Sequence, residues 1–206
     1  MKREWLIPLT GALFVALLIL SFVVGGEPPD ADEPVQEIVD HYVDNDVEIW
    51  ISALIGGLAA VSLVFFGAYL RKVFSAAEGP GGMLSPLMLV GAAIMAVGAG
   101  IDMTILVALA EAAEDIDPAA VQALQALWDN DFVPIAIGIE VLFISVGLAT
   151  VKYGVLPKWL GWFVLVLAVV GLTPVGFIAF PLGGLWVIVV SVLLAVRARG
   201  TPAPQG

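Results

Sequence analysis

Residues 132–151 read FVPIAIGIEVLFISVGLATV, and this stretch decides the class of fold. Its twenty residues carry a single charged side chain, that of Glu140. A helix needs about 20 mostly apolar residues to cross a bilayer, because each residue adds about 1.5 Å along the axis. The run also lacks the two-residue alternation of a membrane β-strand. It therefore predicts a transmembrane helix.

Five further stretches have the same character, and the six together predict an all-α polytopic bundle that forms one domain over residues 1–199. The first stretch could instead be a signal peptide, but its long apolar core and the lack of an A-x-A cleavage site favour a retained helix. Residues 180–184 are expected to form a tight hairpin, and residues 200–206 a disordered tail. The expected spans are residues 5–24, 49–70, 84–110, 132–151, 160–180 and 182–196.

The basic residues predict the orientation of this bundle. With six spans and the N-terminus inside, every Lys and Arg falls on the cytoplasmic side, as the positive-inside rule requires. The sequence therefore predicts a multi-pass protein of the plasma membrane with both termini in the cytoplasm. The eight basic residues are Lys2, Arg3, Arg71, Lys72, Lys152, Lys158, Arg197 and Arg199.

The acidic residues are concentrated in the two loops that this topology places outside, residues 25–48 and 111–131. These loops hold nine and six of the 19 Asp and Glu residues. Apolar residues at helical spacing predict a short amphipathic helix in each loop, lying on the outer face. Asp117 is the expected N-cap of the second helix, with Pro118 in its first position. The side chains expected to face the bundle or the membrane are Val35, Ile38, Tyr42, Val121, Leu124 and Leu127.

Four polar residues lie within the predicted spans and are the candidate site. Asp102 and Glu140 each lie about 12 Å below the outer boundary, since each is about eight residues from the end of its span. Thr173 and Ser191 are expected near the same depth, which predicts one buried polar layer. Such carboxylates are costly in a membrane and usually functional, which suggests a site for a proton, a cation or a small solute. The alternative is a structural hydrogen bond between helices.

A second set of polar residues lies on the first outer helix. Asp40 and Asp44 share a helix face with His41 beside them, which makes these three a candidate weak cation site. The alternative is an acidic face in contact with water, because the spacing matches neither an EF-hand nor a zinc motif. The acidic neighbours are expected to raise the pKa of His41 toward neutral pH.

Small residues on the third span predict close helix packing. Ala92, Ala96 and Gly100 recur every four residues, which would let another helix approach.

Composition excludes several classes of function. The chain has no Cys, which excludes disulfides, thiolate catalysis and iron–sulfur clusters. A net charge of −11 argues against nucleic-acid binding. No cofactor or resident metal is implied, and no nucleophile–base set favours an enzyme.

Two functions remain open. The chain either binds or moves a small solute, proton or cation through its carboxylate layer, or serves as a non-catalytic accessory or scaffold protein. In the second case the outer helices or the packed spans would bind a protein partner or a second copy. The lipid bilayer is the one partner common to both.

The arrangement resembles bacterial multi-pass membrane proteins grouped as domains of unknown function. The resemblance rests on the acidic helix after the first span, on Asp117-Pro118, and on the segment LPKWLGW at residues 156–162. It covers most of the chain and implies no activity.

Overall fold

The computed structural model describes residues 4–200, and that part of the chain is built from helices with no strand. Two short 3-10 helices, Glu4–Leu9 and Gly176–Ile178, accompany eight α-helices. The α-helices are α1 (Thr10–Gly25), α2 (Val35–Asp44), α3 (Asp46–Glu78), α4 (Leu84–Ala112), α5 (Pro118–Trp128), α6 (Val133–Tyr153), α7 (Lys158–Gly171) and α8 (Ala179–Gly200).

Five helical segments are long and apolar enough to cross a membrane, as expected of a helical membrane protein. They contain α1, α3, α4, α6 and α8, while α7 is apolar but only 14 residues long. Glycines with positive φ end several of these helices, at Gly26, Gly79 and Gly154. Only glycine takes this conformation without strain, so each of these residues marks a helix end that the sequence predicts.

Glycines also set how closely the central helices pack. A Cβ added to Gly91 of α4 would lie 2.6 Å from the backbone nitrogen of Leu142 in α6, and one added to Gly98 would lie 2.9 Å from that of Ile135. The α4 and α6 backbones are therefore in contact and run antiparallel. Ala92 packs against Gly67 of α3, whereas Gly100 has open space beside it, so the predicted series of small residues packs only in part.

A second hydrophobic cluster lies beyond the end of α6. The C-terminal turns of α4 contribute Ile105 and Leu109, which pack against α2 and α5. We call α2, α5 and residues 105–112 of α4 the cap. Its fully buried residues include Ile38, Tyr42 and Val121, whereas Leu127 is 53% exposed. These three side chains therefore face the bundle as predicted and Leu124 packs partly against them, whereas an orientation of Leu127 toward the membrane stays a prediction.

A chain of hydrogen bonds holds the cap together. The Tyr42 hydroxyl donates to Gln125 Oε1 at 2.5 Å, and Gln125 Nε2 donates to Asp129 Oδ1 at 2.9 Å. Asp129 in turn accepts a bond from the backbone nitrogen of Ala31. Asp117 caps α5 as predicted, since its Oδ1 accepts from the backbone of Ala119 at 2.8 Å. The α1–α2 connection, α2 and α5 are therefore fastened to one another.

Opposite the cap, the described basic residues share one end of the bundle, which we call the basic end. Arg199 lies over the ring of Trp5, 3.7 Å from its centroid, and Arg197 donates to the carbonyl of Val155. These contacts join the end of α8 to the first 3-10 helix and to the α6–α7 turn. The basic residues of the described chain are Arg71, Lys72, Lys152, Lys158, Arg197 and Arg199.

The α7–α8 region differs from the prediction. The fifth span was expected to run to residue 180, but α7 ends at Gly171 and a non-helical turn follows. Pro174 removes a backbone donor and disfavours a helical residue before it, so the helix stops there. The hairpin predicted at residues 180–184 is instead part of α8, where Pro181 lies in the first turn and costs little. Gly200 ends α8, and residues 201–206, the rest of the predicted tail, lie outside the described residues.

Candidate functional site

Glu140 lies on the side of α6 that faces away from α4. Gly138 and Leu142 contact α4, whereas Glu140, midway between them in the sequence, points toward the end of α7. A Cβ added to Gly171 would lie 2.6 Å from Glu140 Oε1, so the carboxyl fits against a residue with no side chain. Glu140 Oε2 is buried and has no hydrogen-bond partner among residues 4–200. A buried polar atom without a partner needs an explanation, such as a ligand.

The early end of α7 creates the space around this carboxyl. α7 stops opposite Glu140, which lies about 10 Å along α6 from its first residue. Residues 172–175 are non-helical and lead into the short 3-10 helix. Thr173 and Pro174 of this turn line a cavity.

The cavity has a volume of about 840 Å³ and is bounded by α1, α6, α8 and the α7–α8 turn. Among its lining residues only Glu140 and Thr173 have polar side chains, and no lining residue is basic. Pockets of about 300–1,000 Å³ with apolar walls and few polar groups are typical of small-molecule sites. Glu140 is therefore the single charged group of a chamber large enough for an organic ligand.

Asp102 lies at a different level and does not meet Glu140. Gly98 is opposite Ile135, which places Asp102 about 6 Å toward the cap from this contact and Glu140 about 7.5 Å toward the basic end. The surroundings of Asp102 are the carboxyl of Asp131 and the indole of Trp128. Trp128 turns its Nε1 toward Asp102 without a hydrogen bond of normal geometry. The expected matched depth of the two acids is not found.

The two hydroxyl residues of the predicted layer also separate. Thr173 lines the Glu140 cavity, with its hydroxyl donating to the Val170 carbonyl at 2.7 Å. Ser191 is fully buried against Gly11, about 18 Å along α8 from Ala179. The structure thus brings Glu140 and Thr173 to one site, and leaves Asp102 at the cap and Ser191 between α1 and α8.

The candidate cation residues do not form a cluster. Within residues 4–200, no three His, Asp or Glu side chains are arranged to hold a metal ion together. Asp40 accepts a hydrogen bond from Gln36 at 2.8 Å, and Asp44 is exposed. His41 lines a separate surface recess with Glu33 and Glu37.

The titration of the cap residues follows from burial. Burial lowers the pKa of His41, which corrects the prediction that its acidic neighbours raise it. Burial, followed by the nearby Asp129 carboxylate, raises the pKa of the Tyr42 hydroxyl above its ordinary value. Tyr42 therefore remains a hydrogen-bond donor to Gln125 at any physiological pH.

Two structural features were not predicted from the sequence, the cavity at Glu140 and the burial of Gln125 in the cap. The cavity was missed because α7 was extended through Pro174, although Gly171, Pro174 and Gly176 together signal a break. The buried role of Gln125 carries no sequence signal, since a single Gln on a short helix is ordinarily in water.

Comparison with protein-family models, with curated proteins and with solved structures found no match. The resemblance to bacterial multi-pass membrane proteins of unknown function stays a prediction.

Proposed function

We propose that the chain is a six-span protein of the plasma membrane that binds a small solute in the cavity at Glu140. In this proposal α1, α3, α4, α6, α7 and α8 are the spans. Both termini lie in the cytoplasm, and the cap lies outside as two short helices packed on the bundle, of which α2 is acidic and α5 is flanked by Asp117 and Asp129. The function is binding, with no chemical reaction at the site.

The topology is supported by the separation of charge between the two ends. The six described basic residues lie at the basic end, while the acidic helix α2 and the acids that flank α5 lie at the other. A bundle in this orientation obeys the positive-inside rule throughout. α7 fits as the sixth span because the turn after it, together with α8, returns the chain through the bundle. Its 14 residues reach about 21 Å, so the turn lies inside the membrane region.

One observation carries the binding proposal: Glu140, with a buried oxygen that lacks a partner, lines an apolar cavity of about 840 Å³. A carboxyl in a membrane bundle is costly, so it is retained mainly where it has a partner or a task. A helix that stops halfway and lines a cavity is a recurrent feature of membrane binding sites. A purely structural role would place the Glu140 oxygens on hydrogen-bond donors of neighbouring helices.

The test is native mass spectrometry of the purified protein with a panel of small apolar, cationic and anionic solutes. We expect at least one class to be retained at one molecule per chain, with lower occupancy in the Glu140→Gln variant. The matched control is Glu111→Gln, which neutralises an exposed acid near the end of α4 and should leave occupancy unchanged. Equal occupancy in all three proteins for every solute would refute the proposal.

A further inference from the structure

The cavity at Glu140 is open on a side that faces the bilayer. Several of its lining side chains are large, apolar and strongly exposed, among them Phe22 at 60% and Phe177 at 74%. Leu185 on α8, also a lining residue, is 56% exposed. In a spanning bundle such surfaces contact lipid tails. A ligand therefore enters this cavity from the membrane, and the part of the ligand that fills it must be apolar.

The polar end of the cavity holds one acidic side chain. Glu140 is its single ionisable residue, and it lies against Gly171, the last residue of α7. The C-terminus of a helix carries a partial negative charge of about half an elementary charge. Thr173 adds no free donor, because its hydroxyl is bonded to the Val170 carbonyl. The first turn of α8, whose partial charge is positive, also lines the cavity, but Glu140 is the one ionisable side chain there and this end therefore favours a cation.

No basic residue of the described chain can neutralise Glu140. Lys152 follows Glu140 by twelve positions on α6, which places it about 18 Å along the helix, at the basic end. The other described basic residues belong to the same end. An ionised Glu140 in this apolar chamber therefore lacks a counter-charge from the protein, and a bound ligand is the group that can supply one.

We infer that the occupant of the Glu140 cavity is a membrane-borne cationic amphiphile, with an amine or quaternary ammonium head against Glu140 and one apolar tail along α1 and α8. The inference rests on the binding function proposed above. The chamber is large enough for one alkyl chain with a compact head and is open to the acyl region, from which such a molecule would arrive.

The experiment measures thermal stabilisation of the full chain in a non-ionic detergent by three probes. Dodecyltrimethylammonium has both tail and cation, dodecyl sulfate has the same tail with an anion, and tetramethylammonium has the cation alone. Binding to the folded protein raises Tm in a saturable way. We expect a saturable rise in Tm for dodecyltrimethylammonium only. Its affinity should be at least about ten-fold lower in Glu140→Gln, because that variant loses a charged contact. Glu111→Gln should retain the affinity of the wild type.

A second pair of variants keeps Glu140 and moves its carboxyl. In Gly171→Ala the new methyl group would meet Glu140 Oε1, the end of a flexible side chain, so the chain folds and the carboxyl shifts. Gly57→Ala adds the same methyl group on α3, where no atom lies within 4 Å and where the residue does not line the cavity. We expect weaker binding of dodecyltrimethylammonium in the first variant and wild-type binding in the second.

The outcomes separate this inference from the proposed function. Equal stabilisation by the cationic and anionic amphiphiles, unchanged in Glu140→Gln, would overturn the inference and leave an apolar binding cavity. Saturable binding of tetramethylammonium with the same affinity as its dodecyl analogue would also overturn it, in favour of a plain cation site. If no probe binds, the inference is wrong, and the solute panel alone decides the proposed function.

Discussion

Replacing Gly91 of α4 by Ala is expected to destabilise the bundle, although Ala is the better helix former. The added Cβ would lie 2.6 Å from the Leu142 nitrogen and 2.9 Å from the Gly138 oxygen, both backbone atoms. Ordinary contact begins at 3.4 Å, so α6 would have to move away by close to 1 Å. Overpacking of this kind costs about 1–3 kcal/mol, against which Ala returns about 0.5–1 kcal/mol of helix propensity.

Gly100 is the matched control on the same helix. Its added Cβ would meet nothing within 4 Å, so Gly100→Ala should show the propensity gain alone and be at least as stable as the wild type. The two variants should therefore differ in unfolding free energy by about 1–3 kcal/mol. Reversible unfolding in mixed micelles with increasing sodium dodecyl sulfate measures this difference. If Gly91→Ala proves as stable as Gly100→Ala, the backbone contact between α4 and α6 is absent and the levels assigned to Asp102 and Glu140 fail with it.

Three further predictions concern the ends of the bundle. The chain has no Cys, so an added Cys is the sole thiol. Asp117→Cys should react with an impermeant maleimide on intact cells, and Lys158→Cys should not. Labelling of Lys158→Cys would reverse the topology. Tyr42→Phe leaves the fully buried Gln125 carbonyl without its donor and should destabilise the cap by about 1–3 kcal/mol, seen as faster hydrogen exchange in α2 and α5 with the other helices unaffected. Burial holds the pKa of His41 in the folded chain below 6.5, so the unfolded chain binds a proton first as the pH falls. The contribution of neutral, buried His41 to the free energy of unfolding is therefore fully present above pH 6.5 and is lost as the pH falls below it. The Tm of His41→Gln should therefore fall less than that of the wild type between about pH 7 and pH 5; parallel curves would contradict this.

The elements that could be predicted are those that local physics determines. The apolar run at residues 132–151 became α6 (Val133–Tyr153), because its length and composition leave a membrane helix as the stable form. Asp117 and Pro118 were recognised as a helix start because capping acts within one turn. Each of these features depends on neighbours in the sequence and on no distant contact.

The site was predictable only in part because it depends on how helices meet. Glu140 was recognised from its position within a span, but its level relative to Asp102 depends on the register of α4 against α6. That register is set by contacts at Gly91 and Gly98, which no pattern within one helix reveals. Measuring depth from the ends of apolar runs was misleading because the run in α4 continues into the cap, where Ile105 and Leu109 are buried by protein.

The unequal lengths of the helices make the protein sensitive to bilayer thickness. α6, with 21 residues, is about 31 Å long, and α4, with 29 residues, is about 43 Å long. In the topology proposed above, a hydrocarbon core of about 30 Å matches α6 and leaves the C-terminal turns of α4 to carry the cap in water. A thicker bilayer would draw Asp102 and Asp131 toward the acyl chains, at a cost that grows with each ångström of mismatch. The proposed topology therefore suits a bilayer of ordinary thickness, and in it α6 is the helix whose length matches that thickness.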